Sequence, residues 1–78
     1  MTVNEFLKIF ADTLEVEDEV TLNTKRADIA EWDSMGQISL MSMLEEKFGI
    51  TFEMEELVSL ERIQDIVNIL KQRNINLD

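Results

Sequence analysis

The chain has 78 residues, with 7 Lys and Arg against 17 Asp and Glu and a formal net charge of -10. That length allows a single domain, residues 1–78, whose small core shields only roughly 60% of the unfolded surface. Cys and His are absent, which excludes a disulfide framework, a Cys/His zinc site, a Cys nucleophile and a Ser-His-Asp triad.

With no Pro and only two Gly, the chain reads as helices joined by few sharp turns. The first begins at Thr2, with Glu5 three residues on in capping-box spacing. Val3, Phe6, Leu7, Phe10 and Leu14 then repeat at helical intervals and form one apolar stripe. A long polar stretch from Glu15 to Asp33 follows, with Glu17-Asp18-Glu19 as an acidic knot. Val16, Val20, Leu22, Ile29 and Trp32 are scattered through it. They predict an ordered loop lying across the helices, with a short helical turn near Arg26–Ala30.

A second helix is expected over Ser34–Phe48, capped by Asp33 and stopped by Gly49. Ile50-Thr51-Phe52 reads as a brief extended link, and Glu53–Val58 as one or two helical turns. Ser59 is placed as the cap of a last helix in which Ile63, Ile66, Val67 and Leu70 share a face. Lys71 and Arg73 complement the negative end of its dipole. The expected fold is all-α: a small four-helix bundle of three main helices plus one short helix, with a long first loop.

The Ser34–Phe48 helix carries two kinds of surface. At 100° per residue, Leu40, Met41, Leu44 and Phe48 share a side suited to a core. Met35 and Ile38 project elsewhere, together with Ser39, Ser42 and Glu46, and Glu45 borders them. Isolated surface hydrophobes need no special explanation, and Asp33-Ser34 by itself reads as simple capping. The helix start also tolerates a phosphate, because its first N–H groups are unpaired and its dipole is positive there.

Taken together, Glu31-Trp32-Asp33-Ser34-Met35-Gly36, then Ile38, Leu40, Met41 and Leu44-Glu45-Glu46-Lys47-Phe48-Gly49-Ile50, resemble the carrier-protein family. That family comprises the acyl carrier proteins and the related peptidyl and aminoacyl carriers, and the resemblance runs over essentially the whole chain. It implies that Ser34 receives a 4′-phosphopantetheine arm from coenzyme A, with Asp33 as the adjoining helix cap. It also implies that Met35, Ile38, Ser39, Ser42, Glu45 and Glu46 form the face read by partner enzymes. Those partners would be a phosphopantetheinyl transferase, an acyl-loading ligase or synthase, and acyl-transfer enzymes with basic docking surfaces. The chain would be a carrier and not an enzyme, the arm supplying the thiol that a chain without Cys lacks. Gly36 stands where fatty-acid-synthesis members commonly have a second aspartate, and Ser39 where they are often acidic. Glu-Trp-Asp-Ser-Met-Gly looks more like carriers of specialised pathways.

Several readings stay open. An aminoacyl carrier, loaded for instance with D-alanine, or a peptidyl carrier would have the same pattern. An unmodified helical interaction module would use Ser34 merely to cap a helix, and Met35 and Ile38 to bind a partner groove or helix. Met35, Met41, Met43 and Met54 fit plain gap-filling of a core, or a core that yields to an inserted acyl chain. Glu17-Asp18-Glu19 lacks the ligand spacing of a calcium loop, and adjacent Glu45 and Glu46 are poor geometry for paired catalytic carboxylates. Met1-Thr2-Val3-Asn4-Glu5 lacks the basic-then-apolar pattern of a signal peptide, and the apolar clusters are too short for membrane insertion. The acidity disfavours nucleic acid. A cytoplasmic monomer is the expectation.

Overall fold

A computed structural model describes residues 1–78. Four helices follow in order: α1 Val3–Leu14, α2 Ser34–Phe48, α3 Met54–Val58 and α4 Ile63–Gln72, with a 3₁₀ turn at Arg26–Asp28 inside the long first loop. There are no strands, only one isolated bridge between Lys25 and Arg62. The expected all-α bundle of three main helices and a short one is present.

The starts of α1 and α2 are built from their own sequence. The Thr2 hydroxyl accepts from the Glu5 N–H at 3.1 Å, and Glu5 Oε1 accepts from the Thr2 N–H at 3.0 Å, so two otherwise orphaned donors are satisfied. The bond from the Thr2 N–H, with help from the Thr2 side chain, holds the Glu5 carboxyl below the usual carboxylate range. Asp33 Oδ1 accepts from the Gly36 N–H at 2.8 Å and caps α2. At the far end of α2, Gly49 takes the left-handed conformation at φ 65°, where a side chain would be strained.

Ser59 does not cap α4. It lies at the end of α3, where its hydroxyl donates to the Glu56 carbonyl at 2.9 Å. The start of α4 is met instead by the loop: the Ile63 N–H donates to Thr24 O at 3.1 Å and the Gln64 N–H to Leu22 O at 2.9 Å. Asp65 Oδ2 adds bonds from the Glu61 and Arg62 N–H groups, both 3.0 Å. A serine upstream of an apolar run is thus displaced as cap by carbonyls brought from forty residues away, a contact that local spacing does not encode. The same contacts explain why a long polar loop is ordered: its backbone groups are the partners that α4 needs.

The core is one cluster in which Phe6, Phe10, Leu40, Leu44, Ile63, Ile66 and Leu70 are fully enclosed. Each such side chain contributes about 1.5–3 kcal/mol relative to exposure. Phe6, Phe10 and Leu14 carry the buried stripe of α1, while Val3 and Leu7 at its margin are half-buried. α1 packs against α2, and Trp32 of the loop closes the end of this interface, its ring edge-on to Phe10 with centroids 5.0 Å apart. Of the four methionines considered as gap-fillers, only Met41 is buried and Met43 half-buried; Met35 and Met54 are exposed.

α3 is clamped from the end of α4. Arg73, just beyond α4, forms the molecule's only ion pair, with Glu56 at 2.6 Å, and donates to Thr51 O at 3.0 Å. Its sequence-based role as a partner of the α4 dipole is therefore replaced by a clamp on α3. The Arg73 guanidinium, with help from the Glu53 N–H, holds the Glu56 carboxyl below its usual value, and Glu56 in turn raises Arg73.

Candidate functional site

Trp32, Asp33 and Ser34 form the junction of the long loop and α2, and three interactions fix it. Trp32 is 2% exposed, and a buried indole N–H requires an acceptor. Gln37 provides it: Trp32 Nε1 donates to Gln37 Oε1 at 2.6 Å, while Gln37 Nε2 donates to Leu57 O at 3.2 Å. One buried amide thereby joins the loop, α2 and α3. At Gly36 an added Cβ would collide with the Glu31 carbonyl oxygen and lie 3.1 Å from Leu14 Cδ2. The glycine that stands in place of a second aspartate lets the loop backbone press against the first turn of α2. Its presence answers to packing and not to the character of an outer face.

With the junction fixed from inside, Ser34 is left on the outside. It is the first residue of α2 and is exposed, and its hydroxyl has no hydrogen-bond partner. The Ser34 and Met35 N–H groups are likewise unpaired, as expected for the first turn of a helix. Asp33 uses its carboxylate on Gly36 and leaves the serine free. Beside Ser34 lies an open groove of about 590 Å³, lined by Lys25, Arg26, Trp32, Asp33, Ser34, Leu60 and neighbours. Arg26 is anchored there, its Nε donating to Trp32 O at 3.0 Å.

The second face of α2 is exposed as its spacing predicts. Met35 is 78% and Ile38 67% exposed, and Ser39, Ser42 and Glu46 are also exposed. Glu45 departs from this set. It is half-buried, and its Oε2 accepts from the Phe52 N–H at 2.8 Å, so it fastens the link after α2. Met54 and Val58 on α3 are 74% and 75% exposed and were not foreseen as outward hydrophobes. Gln37 was missed too, although position 37 falls in the 37, 40, 41, 44 core register of α2; its polarity hid it. No group of acidic side chains is arranged to hold a metal ion, and no helix is long and apolar enough to cross a membrane.

Comparison with known proteins gives the geometry its context. The family described as the phosphopantetheine attachment site matches residues 4–70. The chain is 39% identical over 72 residues to the acyl carrier protein of Petrotoga mobilis, covering 91% of this chain and 84% of the relative. It is 29% identical over 68 residues to that of Coprothermobacter proteolyticus, covering 86% and 83%. With that of Rickettsia bellii it shares 25% over 67 residues, covering 85% and 78%. No solved structure matches at a significant level. Such carriers work with phosphopantetheinyl transferases and acyl-handling enzymes and are not themselves enzymes. A helical bundle with a bare serine at the head of its second helix, matched over most of its length by these relatives, belongs to the acyl carrier protein family and carries a covalently attached 4′-phosphopantetheine.

Proposed function

We propose that Ser34 is the attachment site and that the chain, one carrier domain over residues 1–78, presents acyl intermediates of fatty-acid or specialised acyl biosynthesis to partner enzymes. The observation that carries this is the isolation of the Ser34 hydroxyl. It is exposed and unpartnered at the start of α2, while its neighbours Trp32, Gly36 and Gln37 are held inside. The prosthetic group suits these surroundings. Free N–H groups at the head of α2 favour an anion, and two cations, Lys25 and Arg26, line the adjoining groove.

In the attachment step the Ser34 oxygen attacks the pantetheine-side phosphorus of coenzyme A. A Ser34 Oγ–P bond forms, the bond to the bridging diphosphate oxygen breaks, adenosine 3′,5′-bisphosphate leaves, and the serine proton passes to a base of the transferase. Asp33 caps α2 through Oδ1 and so fixes where the hydroxyl stands. When bound, the arm supplies the thiol on which acyl groups are carried as thioesters. Met35, Ile38, Ser39, Ser42 and Glu46 form the face that partners read, and Glu45 supports it from the rim. The relatives, all acyl carrier proteins, favour an acyl over an aminoacyl cargo. We place the protein in the cytoplasm, as a monomer.

The test is intact mass before and after incubation with coenzyme A, magnesium and a broad-specificity phosphopantetheinyl transferase. A gain of one phosphopantetheine is expected in the wild type and none in Ser34→Ala. That variant should stay within about 0.5 kcal/mol of wild-type stability, since Asp33 is the cap. No gain in a folded wild-type protein, with an active transferase control, would overturn the assignment. Loading of the product by fatty-acyl but not amino-acid ligases would support the acyl reading.

A further inference from the structure

The chain has only seven cationic side chains against seventeen acidic ones, yet two consecutive ones, Lys25 and Arg26, line the groove that contains Ser34. Neither has a carboxylate partner, because the only ion pair in the molecule is Arg73 with Glu56. Arg26 is nonetheless not loose. Its Nε is tied to Trp32 O at 3.0 Å, and its other two guanidinium nitrogens make no hydrogen bond. Its backbone is pinned as well, the Arg26 N–H donating to Glu61 O at 2.7 Å beside the Lys25–Arg62 bridge. A guanidinium fixed through one nitrogen, with its remaining donors free, is preorganised for an oxyanion. Of the two acids in the groove, Asp33 is engaged with the Gly36 N–H, and the Glu61 carboxylate pairs with neither cation while its main chain pins Arg26.

We propose that Arg26 and Lys25 form a seat for the phosphodiester of the prosthetic arm. The seat lays the first part of the arm into the groove along Trp32 and Leu60, away from the Met35–Ile38 face. The inference rests on Ser34 being the attachment site. Its consequence is a division of space: the root of the arm occupies the loop side of Ser34, and the exposed hydrophobes of α2 remain free for a partner while the carrier is charged. Each cation, being partly solvated, contributes up to about a fivefold preference for the seated arm. That preference weakens as salt screens it.

The experiment uses ¹⁵N-labelled apo and holo protein and reads two signals: the Arg26 Nε–H resonance and the ³¹P transverse relaxation of the phosphodiester. The Arg26 Nε–H resonance is expected to move on attachment. The ³¹P relaxation rate should fall in Arg26→Gln and in Lys25→Gln, should fall with added salt, and should be unchanged in Lys71→Gln on α4. Lys25→Gln guards against a loop disturbed in the arginine variant, because the Lys25 side chain makes no hydrogen bond. A holo protein whose Arg26 resonance and ³¹P relaxation match those of the apo chain and of both groove variants, respectively, would overturn the seat while leaving Ser34 intact. Phosphopantetheine gained equally by Ser34→Ala would overturn both.

Discussion

The two sides of the first turns of α2 differ sharply, although their residues alternate along one short stretch. On the inner side Trp32, Gly36 and Gln37 are closely fitted: the indole sits edge-on to Phe10, the glycine lies under a carbonyl, and the amide bonds to both sides. On the outer side Ser34, Met35, Ile38 and Ser39 are exposed, and no side chain among them makes a hydrogen bond. Substitutions inside should therefore act on folding, and substitutions outside on recognition. Few positions in the segment should do both.

The largest effect is expected at Trp32. Trp32→Ala removes an enclosed aromatic and strands the Gln37 carbonyl oxygen, so a loss of about 3–5 kcal/mol is expected in urea unfolding. Gly36→Ala follows, because its Cβ meets backbone and not a flexible side-chain end; displacing the loop should cost about 1–3 kcal/mol even after the gain in helix propensity. Gln37→Leu keeps the volume but leaves the buried Trp32 N–H without an acceptor, at about 1–3 kcal/mol. A shift in tryptophan emission would accompany it, since Trp32 is the only tryptophan. A Gln37→Leu variant as stable as wild type would show that the bridge matters little and that the two sides differ less than their geometry indicates.

The clamp on α3 gives a smaller, pH-dependent effect. The Glu56 carboxyl is lowered in the folded chain relative to the ordinary 4.5. The stability it contributes is therefore present above that ordinary value and is lost as pH falls through the lowered folded value. Between neutral pH and about pH 5 no loss from this group is expected. Below that window Glu56→Gln should flatten the acid side of the stability profile, and an unchanged slope would argue against the clamp. Last in stability comes the outer face. Met35→Ser with Ile38→Ser should alter stability by less than about 0.5 kcal/mol while slowing modification by a transferase or transfer to a partner. Equal rates in the double variant and the wild type would remove the outer face from recognition.

The sequence read well wherever a signal was local. The Thr2–Glu5 box, Asp33 and Gly49 fall at the ends they mark, and Met35 and Ile38 are outward as their angle on the helix requires. It read poorly wherever a residue's partner lies far along the chain. Ser59 looked like a cap, but carbonyls of the first loop meet α4. Arg73 looked like a dipole partner and instead grips Glu56. Glu45 looked outward, and the returning Phe52 N–H drew it partly in. Gly36 looked like a lost charge on the docking face, whereas its role is set by Glu31 and Leu14 coming close. The exposed Ser34 follows from the same logic: local spacing puts it at a helix start, but only the packing of its neighbours leaves its hydroxyl unoccupied.

The most direct measurement is fragmentation mass spectrometry of the holo protein to locate the phosphopantetheine among the four serines, Ser34, Ser39, Ser42 and Ser59. The group is predicted on Ser34 alone, at the head of α2 where the inner contacts leave a free hydroxyl. Modification at Ser39, Ser42 or Ser59, with Ser34 unmodified, would contradict the assignment of this junction as the working site of the carrier.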